Sequence, residues 1–202
     1  MIRTLLIAFA VLVSSCGITL AEVQVGKEAP DFALTDTNGK SHHLSDYKGK
    51  YVVLEWYQPD CPFVRKHYNS GNMQALQKEY VSKGVVWLSI DSSAAGQEGN
   101  YPPDQLNQTA TKTGSVRTAL LLDPEGKVGH LYGAKTTPDM YIINPQGALV
   151  YQGAIDDKPS TEIGDVKMAK NYVKTALNAV MAGQTVATTS TRPYGCSVKY
   201  AR

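Results

Sequence analysis

Near-continuous apolar runs alternate with stretches of helical spacing along the middle of the chain. Residues 51–56 (YVVLEW) and 85–90 (VVWLSI) are β-rich and almost unbroken, as expected of strands buried on both faces. Between them the pattern from Pro62 to about Tyr80 is helical, with Met73, Leu76 and Tyr80 spaced by three and four. Asn69-Ser70-Gly71 predicts an interruption, and Lys83-Gly84 a stop. Upstream, residues 25–50 form an opening region with a hairpin turning at Asn38-Gly39. Downstream come a polar Gly/Pro loop at 91–104 and a modest helix near 105–112. A short strand at 118–122, a turn at 123–126 and a helical stretch around 128–132 follow. Residues 140–143 and 148–153 read as a hairpin about Asn144-Pro145-Gln146-Gly147. A last helix is expected over 163–182, with Val166, Met168, Ala169, Tyr172, Val173, Ala176, Leu177 and Val180 as its apolar stripe. This order predicts one α/β domain, a mixed central sheet with helices on both faces.

The ends of the chain differ from its middle. Arg3 precedes an apolar run from Leu5 to Val13, too short to span a bilayer but suited to a secretory signal. Thr19-Leu20-Ala21 fits a signal-peptidase site, which makes 1–21 a leader. Val13-Ser14-Ser15-Cys16 fits a lipoprotein box instead, with Cys16 acylated. Either route predicts a periplasmic or extracellular protein, touching a membrane only if Cys16 is lipidated. The folded domain is then 22–182, and residues 183–202 form a C-terminal arm opening with the extended stretch GQTVATTST. With 202 residues, a net charge of +2 and twelve scattered tyrosines, nothing recruits nucleic acid.

Outside the leader two cysteines remain, Cys61 and Cys196. In an oxidising compartment such a pair commonly bonds, either as an inert staple for the arm or as a redox couple. The thirteen residues from Gly183 to Cys196 reach up to roughly 43 Å at about 3.3 Å each, enough to cross a domain of this size.

Cys61 follows the strand at 51–56 by one short turn and opens a helix, with Pro62 in a first turn that tolerates it. Asp60 is a candidate N-cap. Free N–H groups at a helix start favour a thiolate; Arg65 and Lys66 add to that, and Asp60 opposes it. Whether Cys61 is a nucleophile or a core residue stays open at this level. His67 reads as a surface or packing histidine, His42 and His43 face opposite ways along a strand, and His130 is isolated. A copper site would want a thiol at Arg65, so neither metal nor cofactor is expected.

The segments VGKEAPDFAL, VVLEWYQPDCPF and TTPDMYII resemble the redoxin branch of the thioredoxin superfamily, which holds the alkyl hydroperoxide reductase and thiol-specific antioxidant proteins. DCPFVRKHY, YGAKTTP, GAIDD and PYGCSVKY are similar to its exported peroxiredoxin-like group, and the likeness runs from about Val25 to Tyr200. It implies a thioredoxin-like fold with Cys61 at the first cysteine of a CxxC motif and Pro138 as the cis-proline beside it. Val64 stands where the second cysteine would be, and Gln58 where a peroxidatic site has threonine. The resemblance makes Cys196 the resolving thiol and Arg65 an electrostatic helper. It implies an antioxidant peroxidase: Cys61 reduces a hydroperoxide, Cys196 closes a disulfide, and an external thiol or thioredoxin-like reductant resets the pair. The alternatives are a thiol–disulfide oxidoreductase acting on exported proteins and a non-catalytic module with a structural disulfide.

Overall fold

The computed structural model describes residues 23–201; the expected leader and Cys16 lie outside them. The strands are β1 (Ala33–Asp36), β2 (Ser41–His43), β3 (Val52–Trp56), β4 (Val86–Asp91) and β5 (Ala119–Leu122), then β6 (Thr136–Thr137), β7 (Asp139–Ile143), β8 (Leu149–Gly153) and β9 (Cys196–Ser197). The helices are α1 (Pro62–Asn69), α2 (Asn72–Val81), α3 (Pro103–Thr113), α4 (Lys127–Tyr132) and α5 (Tyr172–Met181). Seven strands form one sheet in the order β2-β1-β5-β4-β3-β7-β8. The β3–β4 and β4–β5 pairs are parallel and the others antiparallel, so the sheet is mixed as expected.

Alternation along β3 divides the interior in two, because successive side chains leave a strand on opposite faces. Val53 joins Val64, Met73, Leu76, Tyr80, Trp87 and Leu177 in the core beneath α1, α2 and α5. Val52, Leu54 and Trp56 pack on the other face with Leu88, Leu121, Val128, Tyr132 and Tyr141. The central strands are therefore buried throughout, whereas β8 alternates between buried and half-buried positions.

The break expected inside the first long helical stretch is present. Gly71 has φ 76°, a conformation that needs glycine, and it separates α1 from α2. Asn38-Gly39 likewise turns β1 into β2, in register from Ala33 opposite His43 to Thr35 opposite Ser41.

The last helix departs from expectation. It begins at Tyr172, and residues 163–168 form a separate 3₁₀ turn with no buried side chain. Met168 is 76% exposed, so it does not belong to the stripe, nor do Val166 and Ala169; Val173, Ala176 and Leu177 do. Two local interactions fix this start. The Asn171 side chain accepts the Lys174 N–H as an N-cap, and Tyr172 N–H bonds the Ile155 carbonyl. The tail is also more bound than an extended arm suggests. Thr189 and Thr191 bond the backbone of Gln152, and the Thr191 hydroxyl meets Tyr151 and the Ala154 N–H.

Candidate functional site

The parallel strands end at one edge of the sheet, and the turn after β3 delivers Cys61 there as the N-cap of α1. Asp60, expected as the cap, turns outward and bonds Arg65 and Tyr101 instead. A side chain still serves this turn, since the Gln58 carboxamide oxygen accepts the Cys61 N–H. Gln58 is buried, and its Nε2 has no partner among the described residues. Gly99 leaves it that room, because a Cβ there would meet the Gln58 side chain at 2.6 Å.

Cys61 is 2% exposed, and its sulfur lies 3.0 Å from the carbonyl oxygen of Thr137. The Thr137–Pro138 peptide is cis, in line with the position-by-position expectation for Pro138. Cys196 reaches the same point from the other side, its sulfur 2.8 Å from that of Cys61, both as free cysteines. Its position follows from pairing, not from chain reach alone: β9 lies antiparallel to β6, with Cys196 opposite Thr137 and Ser197 opposite Thr136. Burial first, and the neighbouring Cys61 next, push the Cys196 thiol up to about 12.

Of the four expected site residues, three converge and the fourth stands apart. Arg65 is 56% exposed, and its guanidinium is held by Asp60 and the Pro59 carbonyl. That ion pair holds the guanidinium on the outer flank of the turn, beside Asp60. The open cleft on this flank, about 570 Å³, is lined by Tyr57, Pro59, Asp60, Arg65 and Tyr101.

The arm is clamped immediately before its cysteine. Tyr194 donates its hydroxyl proton to Asp156 and approaches His67 Nε2 at 3.3 Å. Its ring meets Phe63 edge-on, and the Lys66 ammonium lies 5.6 Å from its centre. Lys66 is 1% exposed and donates to the Lys158 carbonyl at 2.7 Å. His67 is a packing and not a surface histidine, fully buried, with its other nitrogen 2.9 Å from the Asn72 amide. Burial lowers it to about 4, with Asp156 opposing and Lys66 assisting. Beyond the cysteine, Val198 N–H bonds the Lys135 carbonyl and Tyr200 bonds that of Ala134.

Beneath the site lies a charged group that chain order did not disclose. Glu55 is fully buried and accepts from Trp87 Nε1 (2.8 Å), Ser89 (2.8 Å), Tyr68 (3.0 Å) and Gln77 (3.5 Å). The buried Arg117 guanidinium, 4.4 Å from the Tyr57 ring centre, supplies compensating positive charge. The single acid inside the apolar run YVVLEW was the signal for this network. Asp156 and Tyr194 sit in GAIDD and PYGCSVKY, but only folding reveals that they meet. Among the described residues, no group of three or more His, Cys, Asp or Glu could hold a metal ion, and no helix is long and apolar enough to cross a membrane.

A mixed sheet between helical layers, with a cysteine at a helix start facing a cis-proline, defines a thioredoxin-like protein. The AhpC/TSA family matches residues 25–152, more than half of the chain, and the protein belongs to that family. The thiol-disulfide oxidoreductase ResA of Bacillus thuringiensis is 27% identical over 131 residues, 65% of this chain and 70% of its own length. A structure of an uncharacterized conserved protein from Geobacillus kaustophilus superposes with a TM-score of 0.73 at 28% identity, covering 88% of this chain and 93% of its own. A proposed thiol:disulfide interchange protein DsbE from Chlorobium tepidum superposes with a TM-score of 0.54 at 25% identity, over 65% of this chain and 85% of its own.

Proposed function

We propose that this chain is a thiol–disulfide oxidoreductase, with Cys61 the attacking thiol and Cys196 the resolving one. The observation that carries the reading is the meeting of the two sulfurs, 2.8 Å apart, at the start of α1 and beside Thr137. In the reductive direction, the Cys61 thiolate attacks a client disulfide and one client sulfur leaves as thiolate. Cys196 then attacks the Cys61 sulfur of the mixed disulfide and expels the second client thiolate. The two protons of the protein thiols end on the client, which gains two electrons, and the protein holds a Cys61–Cys196 disulfide. An external dithiol or a thioredoxin-like protein resets it. Cys196 takes the place of the missing second cysteine of a CxxC pair, at Val64. Pro138 and the Thr137 carbonyl border the reacting sulfur.

The names of the relatives favour this chemistry over hydroperoxide reduction. Gln58 supports the same choice, since it stands where a peroxidatic site has threonine and its oxygen is occupied by the Cys61 N–H. Family membership keeps peroxide reduction as the second reading. The composition of residues 1–22 supports action outside the cytoplasm, with Cys16 as an optional lipid anchor.

The deciding experiment mixes the fully reduced chain with one equivalent of a disulfide-bonded peptide and, separately, of hydrogen peroxide, and maps the products by mass. Loss of both thiols to a Cys61–Cys196 bridge with the peptide, abolished by Cys61→Ser, is the expected result. Rapid loss with peroxide alone would transfer the reading to a peroxidase, and thiols inert to both would leave a structural pair.

A further inference from the structure

The short strand β6 and the Cys61 sulfur form one edge, and the chain's own arm is seated on it. Two backbone residues of β9 pair with Thr136 and Thr137, and Val198 extends the ladder to Lys135. The cysteine in that strand stands opposite Thr137 and against Cys61. With Cys61 only 2% exposed, a client cysteine held in a folded chain has no route to it while the arm is docked. A client strand making the same bonds must lie where the arm lies.

The arm also shows what that edge accepts. Gly195, just before the cysteine, has φ 145°, and a Cβ on it would fall 2.1 Å from the Thr137 carbonyl oxygen and 3.3 Å from the Pro138 nitrogen. Backbone on both sides of the clash leaves nothing free to yield. Conformation and space both require glycine at that position. One residue earlier, Tyr194 fills a niche formed by Phe63, Lys66, His67 and Asp156.

We propose that the β6 edge beside Cys61 is the docking surface for a cysteine-bearing extended strand of a client protein, that glycine immediately before the client cysteine and an aromatic residue before that are selected, and that the C-terminal arm is a tethered occupant which the client displaces. The proposal rests on the disulfide-exchange reading. In the cycle the client bonds Cys61 with the arm released, and re-pairing of β9 with β6 brings Cys196 back to expel the client. Arm and client compete for one edge, so the resolving step and client release are a single event.

The test uses the full reduced chain carrying Cys196→Ser, which arrests the cycle at the mixed disulfide. Two peptides, Tyr-Gly-Cys-Ser-Val-Lys and its counterpart with alanine for glycine, are offered as mixed disulfides with thionitrobenzoate. Attack of Cys61 on the peptide sulfur breaks the peptide–thionitrobenzoate bond, forms the Cys61–peptide bond and frees coloured thionitrobenzoate. The glycine peptide is expected to react roughly tenfold faster or more, the equivalent of at least about 1.4 kcal/mol. Gly195→Ala in the same background drives the arm off its edge, and a further rise of about the same size is expected for the glycine peptide. The symmetric disulfide of thionitrobenzoate serves as the reference reaction. Normal reaction with that reagent, but equal rates for the two peptides or no gain from Gly195→Ala, overturns the docking proposal and leaves disulfide exchange standing. No reaction with any of the three reagents removes the exchange reading and this proposal together. A Gly195→Ala chain that becomes a dimer by exchanging arms would give the edge to a second copy and overturn the client assignment.

Discussion

Glu55→Gln changes no volume and removes one charge from the middle of the sheet, which makes it a direct probe of the network beneath the site. The carboxylate now accepts from Trp87, Ser89, Tyr68 and Gln77 with no contact to solvent. Trp87, Ser89 and Gln77 all donate to one oxygen, Oε2, which the amide oxygen can replace, whereas Tyr68 donates to the other at 3.0 Å. The Tyr68 hydroxyl would face the NH₂ group and lose its acceptor. Arg117 would also lose the favourable Glu55 charge near its buried guanidinium. A buried hydrogen-bonding group left without its partner costs about 1–3 kcal/mol, more beside a charge, and the nearby guanidinium places this case at the high end, near 3 kcal/mol. With a urea slope of about 2 kcal/mol per molar, the unfolding midpoint of the reduced chain should fall by about 1.5 M. Adding Arg117→Met to Glu55→Gln removes the orphaned charge, so the double variant should be more stable than the sum of the singles by at least about 1 kcal/mol. A midpoint unchanged within about 0.5 M, or strict additivity, would refute the charge compensation described between Glu55 and Arg117.

Tyr194→Phe removes the hydroxyl bonded to Asp156 and should cost the docked arm about 2 kcal/mol, a charge-assisted hydrogen bond being worth roughly that. Amide exchange at Cys196 and Val198 should then quicken by about thirtyfold, and unchanged exchange would show that the β6–β9 pairing alone holds the arm. His67, lowered to about 4 in the fold, binds its proton first in the unfolded chain, so its stabilising contribution is complete above pH 6.5 and is lost as pH falls towards 4. Burial raises Asp139 to about 7 and Asp91 to about 6, which acts the opposite way over much of that window. The informative quantity is therefore the stability of the parent chain relative to His67→Gln, which should drop by about 3 kcal/mol between pH 7 and pH 4; a flat difference would mean that His67 is not desolvated. Asn171→Ala deletes the side-chain cap of α5 and should lower the thermal midpoint by about 2–4 °C for a loss near 1 kcal/mol. No change there would assign the helix start to the Tyr172–Ile155 bond.

Much of the architecture was written locally. The unbroken runs at β3 and β4 could only be strands covered on both faces, and Gly71 and Asn38-Gly39 marked real turns because a positive φ is a property of one residue and its neighbours. Resemblance carried the chemistry to Cys61, Cys196 and Pro138, and the fold brought these together. Local pattern failed where long-range contacts outweigh it. Val166, Met168 and Ala169 have helical spacing, yet no core lies beneath them, and the cap at Asn171 with the bond to Ile155 starts the helix later. Arg65 lies four residues after the cysteine, but its direction was settled by Asp60.

By itself the sequence determined the order of elements, the cysteine at the start of α1 and the absence of its usual local partner, since each depends on residues close together in the chain. Only the tertiary structure decided that residue 196 supplies a thiol at residue 61, that Tyr194 and Asp156 hold it there, and that Arg117 balances Glu55. Those three depend on strand register and on segments far apart in the chain, and no local spacing encodes where a sheet edge will receive a returning arm.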